Sequence, residues 1–343
     1  MKLAERVSPG IMNVKRKRDV MPSKAQARTP AELSRIAGWR GAAPKSADAF
    51  SFVIVGDRTG AHVEGEWAAA IEQVNLLKPA FVMCVGDLIE GYTEDQAEII
   101  RQWEEFETLT AKFEAPFFYC CGNHDVSNDV MFETYVERHG VDGRSYYSFD
   151  YCDCHFVVLD TNTAMRKPDF RDQQLEWLAG DLAAAEDAAH LFVIYEIPLL
   201  QTGRIWPRLR QLLPPEKTTI FNGHWHALSF YRMDGIPVYV LSATGGDVSS
   251  GTYEIDGQIL TMDAEAVRRA AEAGAVEADR AFGAFRMFAH VVVDDGTPTI
   301  ALVPLHQILP ADYTETVMNA RTAYSKQVQP LNLPDRGYPW PTF

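Results

Sequence analysis

The sequence predicts an α/β fold built on a largely parallel sheet, and two observations carry that prediction. Apolar runs of strand length alternate with segments of helical period. Four of those runs end in a glycine followed by groups that carry chemistry: Gly56-Asp57, Gly86-Asp87, Gly122-Asn123-His124-Asp125 and Gly223-His224-Trp225-His226. In open α/β sheets, chemistry collects just beyond the carboxyl ends of strands. Four such ends delivering Asp, Asp, Asn-His-Asp and His-Trp-His imply one polar pocket.

Taken in order, the chain opens its first strand at 51–55. A helix over 65–77 places Trp67, Ala70, Ile71, Val74 and Leu77 on one side, and Pro79 stops it. The second strand is 81–85. A charged helix over 94–113 carries Ile99, Ile100, Trp103, Phe106, Leu109 and Phe113, and Pro116 introduces the third strand, which leads into Cys120, Cys121 and Gly122. Strand, helix, strand, helix, strand implies right-handed crossovers between parallel strands. A short helix at 128–139 precedes a hairpin-like pair, 145–149 and 155–159. A helix at 171–187 follows, then a strand at 190–197 ended by Pro198, a brief helix at 206–213 and the strand 218–222. Residues 229–232 and 238–242 read as a second sheet ending in Thr244-Gly245-Gly246. An alanine- and acid-rich helix at 263–281 marks a helical insert at about 250–285, an edge cap or a lid. A final hairpin, 287–293 and 299–305, turns at Asp294-Asp295-Gly296. One catalytic-type domain, 49–311, is expected between a polar arm (1–48) and an irregular tail (312–343).

Composition narrows the function. The 343 residues are 47% hydrophobic, ample for a core. A formal net charge of -15 argues against a general polyanion binder, since nucleic-acid affinity rests on cationic contacts to phosphates. The basic run Lys15-Arg16-Lys17-Arg18 reads as a solvated tail, or as a contact for an acidic surface. Five cysteines, four on or beside strands, read as small apolar residues of a reduced protein. Cys152 and Cys154 have a second reading as a metal or redox pair. No run approaches the ~18 apolar residues of a membrane span, and no secretory leader is visible. A cytoplasmic location is therefore the expectation.

Asp57, Asp87, Asn123, His224 and His226 form a mixed oxygen and nitrogen set that suits divalent ions of the Mn, Fe or Zn type. A carboxylate such as Asp87 can bridge two ions ~3.5–4 Å apart, the arrangement for in-line displacement at phosphorus. The order Gly-Asp, Gly-Asp, Gly-Asn-His-Asp, Gly-His-any-His resembles the calcineurin-like metallophosphoesterases, over about residues 50–246. The resemblance implies a four-layer αββα sandwich, two mixed β-sheets flanked by helices, with a dinuclear metal site between the sheets. It implies that Asp57 and His226 serve the first ion, that Asp87 bridges, and that Asn123 and His224 serve the second. It further implies that a metal-bound hydroxide attacks phosphorus, that His124 assists the leaving oxygen and that Asp125 orients His124.

Two positions depart from that pattern. Asp57-Arg58-Thr59 stands where the family has Asp-any-His, and a hydroxyl ligates poorly, so Thr59 is instead a candidate for binding substrate. His62, three residues on, either replaces the missing imidazole, binds substrate phosphate, or is an ordinary loop histidine. Tyr195-Glu196-Ile197-Pro198 stands where the family has a histidine. Glu196 is either a metal ligand or the partner of Arg58, and as a ligand it favours Mn, Fe or Mg over Zn. Arg58 either grips phosphate in a bidentate fork or bridges to a carboxylate. The expected function is metal-dependent hydrolysis of a phosphate mono- or diester, on a small ester or a phosphorylated biomolecule. The alternative is a degenerate relative that binds a phosphorylated ligand without turnover. Tyr92 and Trp206 are candidate substrate walls.

Overall fold

The computed structural model describes residues 49–199, 205–248 and 285–306, with the backbone of two strands at 252–255 and 258–261. In chain order the elements are β1 (Ala49–Val55), α1 (Glu66–Leu77), β2 (Val82–Cys84), α2 (Gln96–Thr110), β3 (Phe117–Phe118), α3 (Asp129–His139), β4 (Tyr147–Tyr151) and β5 (Cys154–Val158). They continue with α4 (Thr161–Arg166), α5 (Pro168–Ala184), β6 (His190–Ile194), α6 (Trp206–Leu209), β7 (Thr218–Asn222), β8 (Ser229–Met233) and β9 (Ile236–Val240). Last come β10 (Thr252–Ile255), β11 (Gln258–Thr261), β12 (Met287–Asp294) and β13 (Thr297–Pro304). Side chains cap the helices where the sequence offers acceptors. Asp95 accepts from Ala97 and Glu98 N–H groups at α2, and Asn128 and Asp160 do the same service for α3 and α4.

Two sheets carry the fold, in the orders β13-β12-β1-β2-β3 and β4-β5-β6-β7-β9-β8. Each has a parallel heart, β1-β2-β3 in one and β5-β6-β7-β9 in the other. Both are mixed, as the expected αββα sandwich requires, and the strand-helix-strand-helix-strand run read from the sequence forms the parallel heart of the first. Short turns join β4 to β5, β8 to β9 and β12 to β13, and a short turn can link only antiparallel neighbours. The final hairpin returns to the start of the chain, where β12 pairs with the whole of β1.

The inner faces meet in an aromatic core. Phe52 of β1 lies 5.2 Å from Phe156 and 5.0 Å from Phe192, and Phe118 stacks on Phe149 at 4.2 Å. On the outer face of the first sheet, Trp67 packs on Phe106 at 5.6 Å, and Phe113 stacks on Phe117. On the outer face of the second, Leu175 and Leu178 of α5 cover Val157 and Val193. The alternation along β5, Phe156 inward and Val157 outward, is the period of two that a strand covered on both faces requires. Two mixed sheets flanked by helices make the α/β architecture.

Several details differ from the sequence reading. Helix α4 was not expected, because its six residues are too few to show a period. The stretch at 250–285 opens with the antiparallel pair β10–β11, which was not expected; the expected helix at 263–281, the arm 1–48 and the tail lie outside the described residues. All five cysteines are free, and Cys84, Cys120, Cys121 and Cys154 are buried, where burial pushes each thiol well up. Cys152 and Cys154 belong to no candidate ligand group among the described residues. No described helix is long and apolar enough to cross a membrane.

One buried polar network lies on the second sheet, away from the strand ends. His155 of β5 binds Asp150 through Nδ1 (2.6 Å) and Asp181 of α5 through Nε2 (2.9 Å), while Ser148 donates to Asp181. Burial alone would lower the imidazole's pKa, but the two carboxylates outweigh it and raise it from 6.5 to about 9. A raised folded-state pKa contributes stability that is complete below about 6.5 and is lost as pH rises through about 9. Denaturant titrations of the wild type should therefore weaken across that window. His155→Gln should cost about 3 kcal/mol at pH 6 and flatten the pH dependence, whereas an unchanged slope would exclude the network as its source.

Candidate metal centre

The four glycine-terminated strand ends converge. A Cβ added at Gly223, after β7, would lie 2.7 Å from Asp57 Oδ1 and 2.6 Å from Val85, so the ends of β1, β2 and β7 touch. A Cβ at Gly122 would stand 2.1 Å from Asp87 Oδ1. The backbone is unusual at the same place. Asp87, Tyr92, His224 and His226 all have positive φ (55°, 50°, 71° and 48°), a region that residues with a Cβ adopt at a cost.

Asp57 is fully buried, and its backbone carbonyl accepts from the N–H groups of Thr244, Gly245 and Gly246. Those glycines thus fasten the first ligand from the β9 side. Asp57 also accepts from the His224 N–H. Burial lifts its pKa to about 6, with the His226 charge opposing and the Asp87 charge adding. Asp87 is 2% exposed and accepts from the His124 N–H at 2.9 Å, and its carbonyl receives the N–H groups of Arg58 and Thr59.

The ligand atoms form two groups that share Asp87. Asp57, Asp87 and His226 make one, and Asp87, Glu196 and His224 make the other, each with ligand atoms within 4.8 Å of one another. His226 presents Nδ1 to the Asp247 carbonyl, which leaves Nε2 facing Asp57 at 4.0 Å. Glu196 is fully buried, with Oε1 2.6 Å from His224 Nδ1 and Oε2 without a hydrogen bond of good geometry. Burial, then the charges of Asp87 and Asp57, push the Glu196 carboxyl well above its usual range, with Asn162 opposing. Burial also lowers His224, against the same two charges.

The Asn123 amide can be turned two ways, and only the second satisfies all its neighbours without an ion. In one, Nδ2 donates to Tyr92 Oη at 2.7 Å, and Oδ1 faces Glu196 Oε1 and His224 Nδ1. In the other, Nδ2 donates to those two atoms (3.0 and 2.7 Å) and Oδ1 accepts from Tyr92 and the His124 N–H. The first orientation turns Oδ1 toward Glu196 Oε1 and His224 Nδ1, an arrangement that a cation between the three would make favourable. That convergence, with the buried Oε2 of Glu196 and the shared Asp87, fits two divalent ions. Three carboxylates, one amide and two imidazoles are a predominantly oxygen donor set.

Other expected site residues take different partners. Arg58 is 5% exposed and pairs with Glu105 (2.5 Å), donates to the Leu88 carbonyl and lies over the Phe106 ring. Of its two readings these contacts are those of the carboxylate bridge, and the carboxylate is Glu105 rather than Glu196. Asp125 does not hydrogen-bond to the His124 ring among the described residues. Its oxygens accept from the N–H groups of Leu88 (2.8 Å), Ile89 (3.1 Å) and Gly122 (2.7 Å), so it staples the loop after β2 to the loop after β3. Burial, reinforced by the Asp87 charge, raises its pKa to about 7 against those donors. The acceptor that orients His124 is the Glu90 carbonyl, 2.7 Å from Nδ1. His62 is bound to Glu90 through both its N–H (3.0 Å) and Nδ1 (2.7 Å). Partial burial would raise the Glu90 pKa, but the Thr59 hydroxyl and His62 outweigh it and lower it to about 2. Trp206 donates to Asp234 and Trp225 is 8% exposed. Tyr92, by contrast, stands at the site, its ring edge-on to His124 at 4.8 Å. Glu90 and the Asp247 carbonyl carried no sequence signal, because a backbone acceptor is the same in every residue.

A buried carboxylate shared by two ligand groups, at the meeting edge of two sheets, is an arrangement that could hold two metal ions. The family profile described as calcineurin-like phosphoesterase matches residues 50–228, and the chain belongs to that family. It is 26% identical over 216 residues to the serine/threonine-protein phosphatase CPPED1 of Rattus norvegicus, covering 57% of this chain and 69% of that protein. The Homo sapiens protein of the same name is 28% identical over 224 residues, with coverage of 57% and 69%. Among solved structures, PhoD superposes with a TM-score of 0.53 at 13% identity, covering 84% of this chain and 79% of that one. A dimetal phosphatase from Danio rerio superposes with a TM-score of 0.52 at 12% identity, covering 76% and 98%. At those identities the superpositions speak for the fold alone.

Gly122→Ala should displace Asp87 and, because both ligand groups share that carboxylate, remove both ions together. Elemental analysis of protein purified without chelators would check this. Gly180→Ala, in α5 with open space around it, should keep both; loss of only one ion in Gly122→Ala would contradict a shared carboxylate.

Proposed function

We propose that the chain hydrolyses phosphate esters, phosphorylated protein side chains first among them, with the help of two divalent ions. The observation that carries this reading is the pair of ligand groups joined at Asp87. The substrate class is supported by the similarity to serine/threonine-protein phosphatases over more than half of the chain. Asp57, Asp87 and His226 would hold one ion, and Asp87, Asn123, Glu196 and His224 the other, with Mn, Fe or Mg favoured over Zn. When bound, such ions polarise phosphoryl oxygens and acidify a coordinated water.

The remaining chemistry falls to His124. A carbonyl can pair only with an N–H, so the Glu90 carbonyl keeps the proton on Nδ1 and leaves Nε2 as the nitrogen that gives or takes one. A protonated Nε2 can hand its proton to the departing alcohol oxygen, and the imidazolium thereby becomes a neutral ring with its Nδ1–H bond intact. The Tyr92 ring, edge-on, limits rotation of the imidazole. Asp125 acts one step back, by fixing the loop that bears both Asp87 and the Glu90 carbonyl. Thr59 favours a second reading, ligand binding without turnover, because a hydroxyl stands where the family has an imidazole.

His124→Ala should lower the turnover of p-nitrophenyl phosphate and of a phosphoserine peptide by ~10²–10⁴-fold while both ions are retained. Wild-type protein that holds ions and binds phosphate, yet turns over neither substrate with Mn, Fe, Mg or Zn, would establish the binding reading instead.

A further inference from the structure

Tyr92 is placed with a care that the ligand groups do not explain. It follows Gly91 (φ 63°) and itself adopts φ 50°, so two successive left-handed residues turn the chain back onto the metal centre. The turn is tight against the 123–125 loop, since a Cβ on Gly91 would meet the His124 carbonyl oxygen at 1.8 Å. Its ring is about half exposed (53%), yet its hydroxyl lies 2.7 Å from the Asn123 amide. An exposed aromatic on a strained backbone is an arrangement that packing alone does not reward.

The two orientations of Asn123 give that hydroxyl a task. With Nδ2 toward Glu196 and His224, the amide satisfies them by donating, and Tyr92 donates its own proton to Oδ1. With Oδ1 toward that corner, where an ion would be ligated, Nδ2 must point at Tyr92, whose oxygen accepts. A phenol can do both, because it carries one donor and acceptor lone pairs. We propose that Tyr92 is a positioning residue whose hydroxyl reverses its hydrogen bond with Asn123 when an ion enters the Asn123–Glu196–His224 group. The reversal holds the amide oxygen on the ion and releases the phenolic O–H to donate to a phosphoryl oxygen. Metal binding thereby prepares the substrate contact. The inference rests on the metal-dependent reading of the site but not on turnover.

The test is a double-mutant cycle read by calorimetric titration of metal-free protein with Mn²⁺. Tyr92→Phe keeps the ring and removes the hydroxyl. It should weaken one of the two ions by about 10–100-fold, the usual cost of losing a partner that orients a ligand, and leave the other ion unchanged. Asn123→Asp supplies two equivalent oxygens, so no lock is needed. On that background Tyr92→Phe should change the affinity less than about 2-fold, because the coupling is gone. Wild-type affinities in Tyr92→Phe, or an equal loss on both backgrounds, would overturn the proposal. If the wild type binds two ions with this coupling but hydrolyses no ester, the enzymatic reading fails and the role of Tyr92 stands. If it hydrolyses esters while Tyr92→Phe binds both ions normally, the reverse holds.

Discussion

The constraint on which the site depends is repulsion among buried carboxylates. Asp57, Asp87, Asp125 and Glu196 are all at most 2% exposed, and the aspartates raise one another's pKa or that of Glu196. Buried like charges this close cannot all stay ionised unless something positive or protic answers them. The chain answers Asp125 with three backbone N–H groups and Asp57 with the His224 N–H. It gives Glu196 the Asn162 side chain, with His224 Nδ1 and the Asn123 amide beside Oε1, and the shared Asp87 one N–H from His124. The carboxylates least served by backbone N–H groups are therefore those that belong to the candidate ion sites.

The same contrast separates ligands from scaffold among residues that look alike. Asp57 and Asp125 are both buried acids next to a glycine loop. Asp125 spends all its oxygens on backbone donors, which makes it a staple. Asp57 keeps its carboxylate facing His226 and is secured through its carbonyl by Thr244, Gly245 and Gly246. Backbone amides thus set the position of both, and the residue type alone does not reveal which one holds a ligand.

Much of the fold and of the ligand set was legible in the sequence for a physical reason. A buried strand must be apolar along its length, and a glycine must follow where loops from different strands come within van der Waals contact; both leave a fixed imprint. Gly122 and Gly223, which admit Asp87 and Asp57, are examples. What stayed hidden was set by groups every residue possesses or by distant pairing. The carbonyls of Glu90 and Asp247 orient the two histidines, Glu105 claims Arg58 across 47 residues, and β12 closes on β1. Helix α4 is too short to advertise a period, and Glu90 became visible as the partner of His62 only once the loop after β2 was folded.

The pairing of β1 with β12 has a consequence for how the molecule assembles. The first strand made is matched residue for residue, Ala49 with Asp294 through Val55 with Phe288, by one made more than two hundred residues later. Contacts of such long sequence separation raise the contact order and slow folding, since the intervening loop must be closed before they form. During synthesis, β1 can pair early with β2 on one side, but its other edge waits for the arrival of β12. The first sheet therefore passes through a stage with an open, apolar edge, the kind of surface that invites pairing with another chain. That edge is closed by a hairpin which, among the described residues, contributes no candidate ligand to the metal centre.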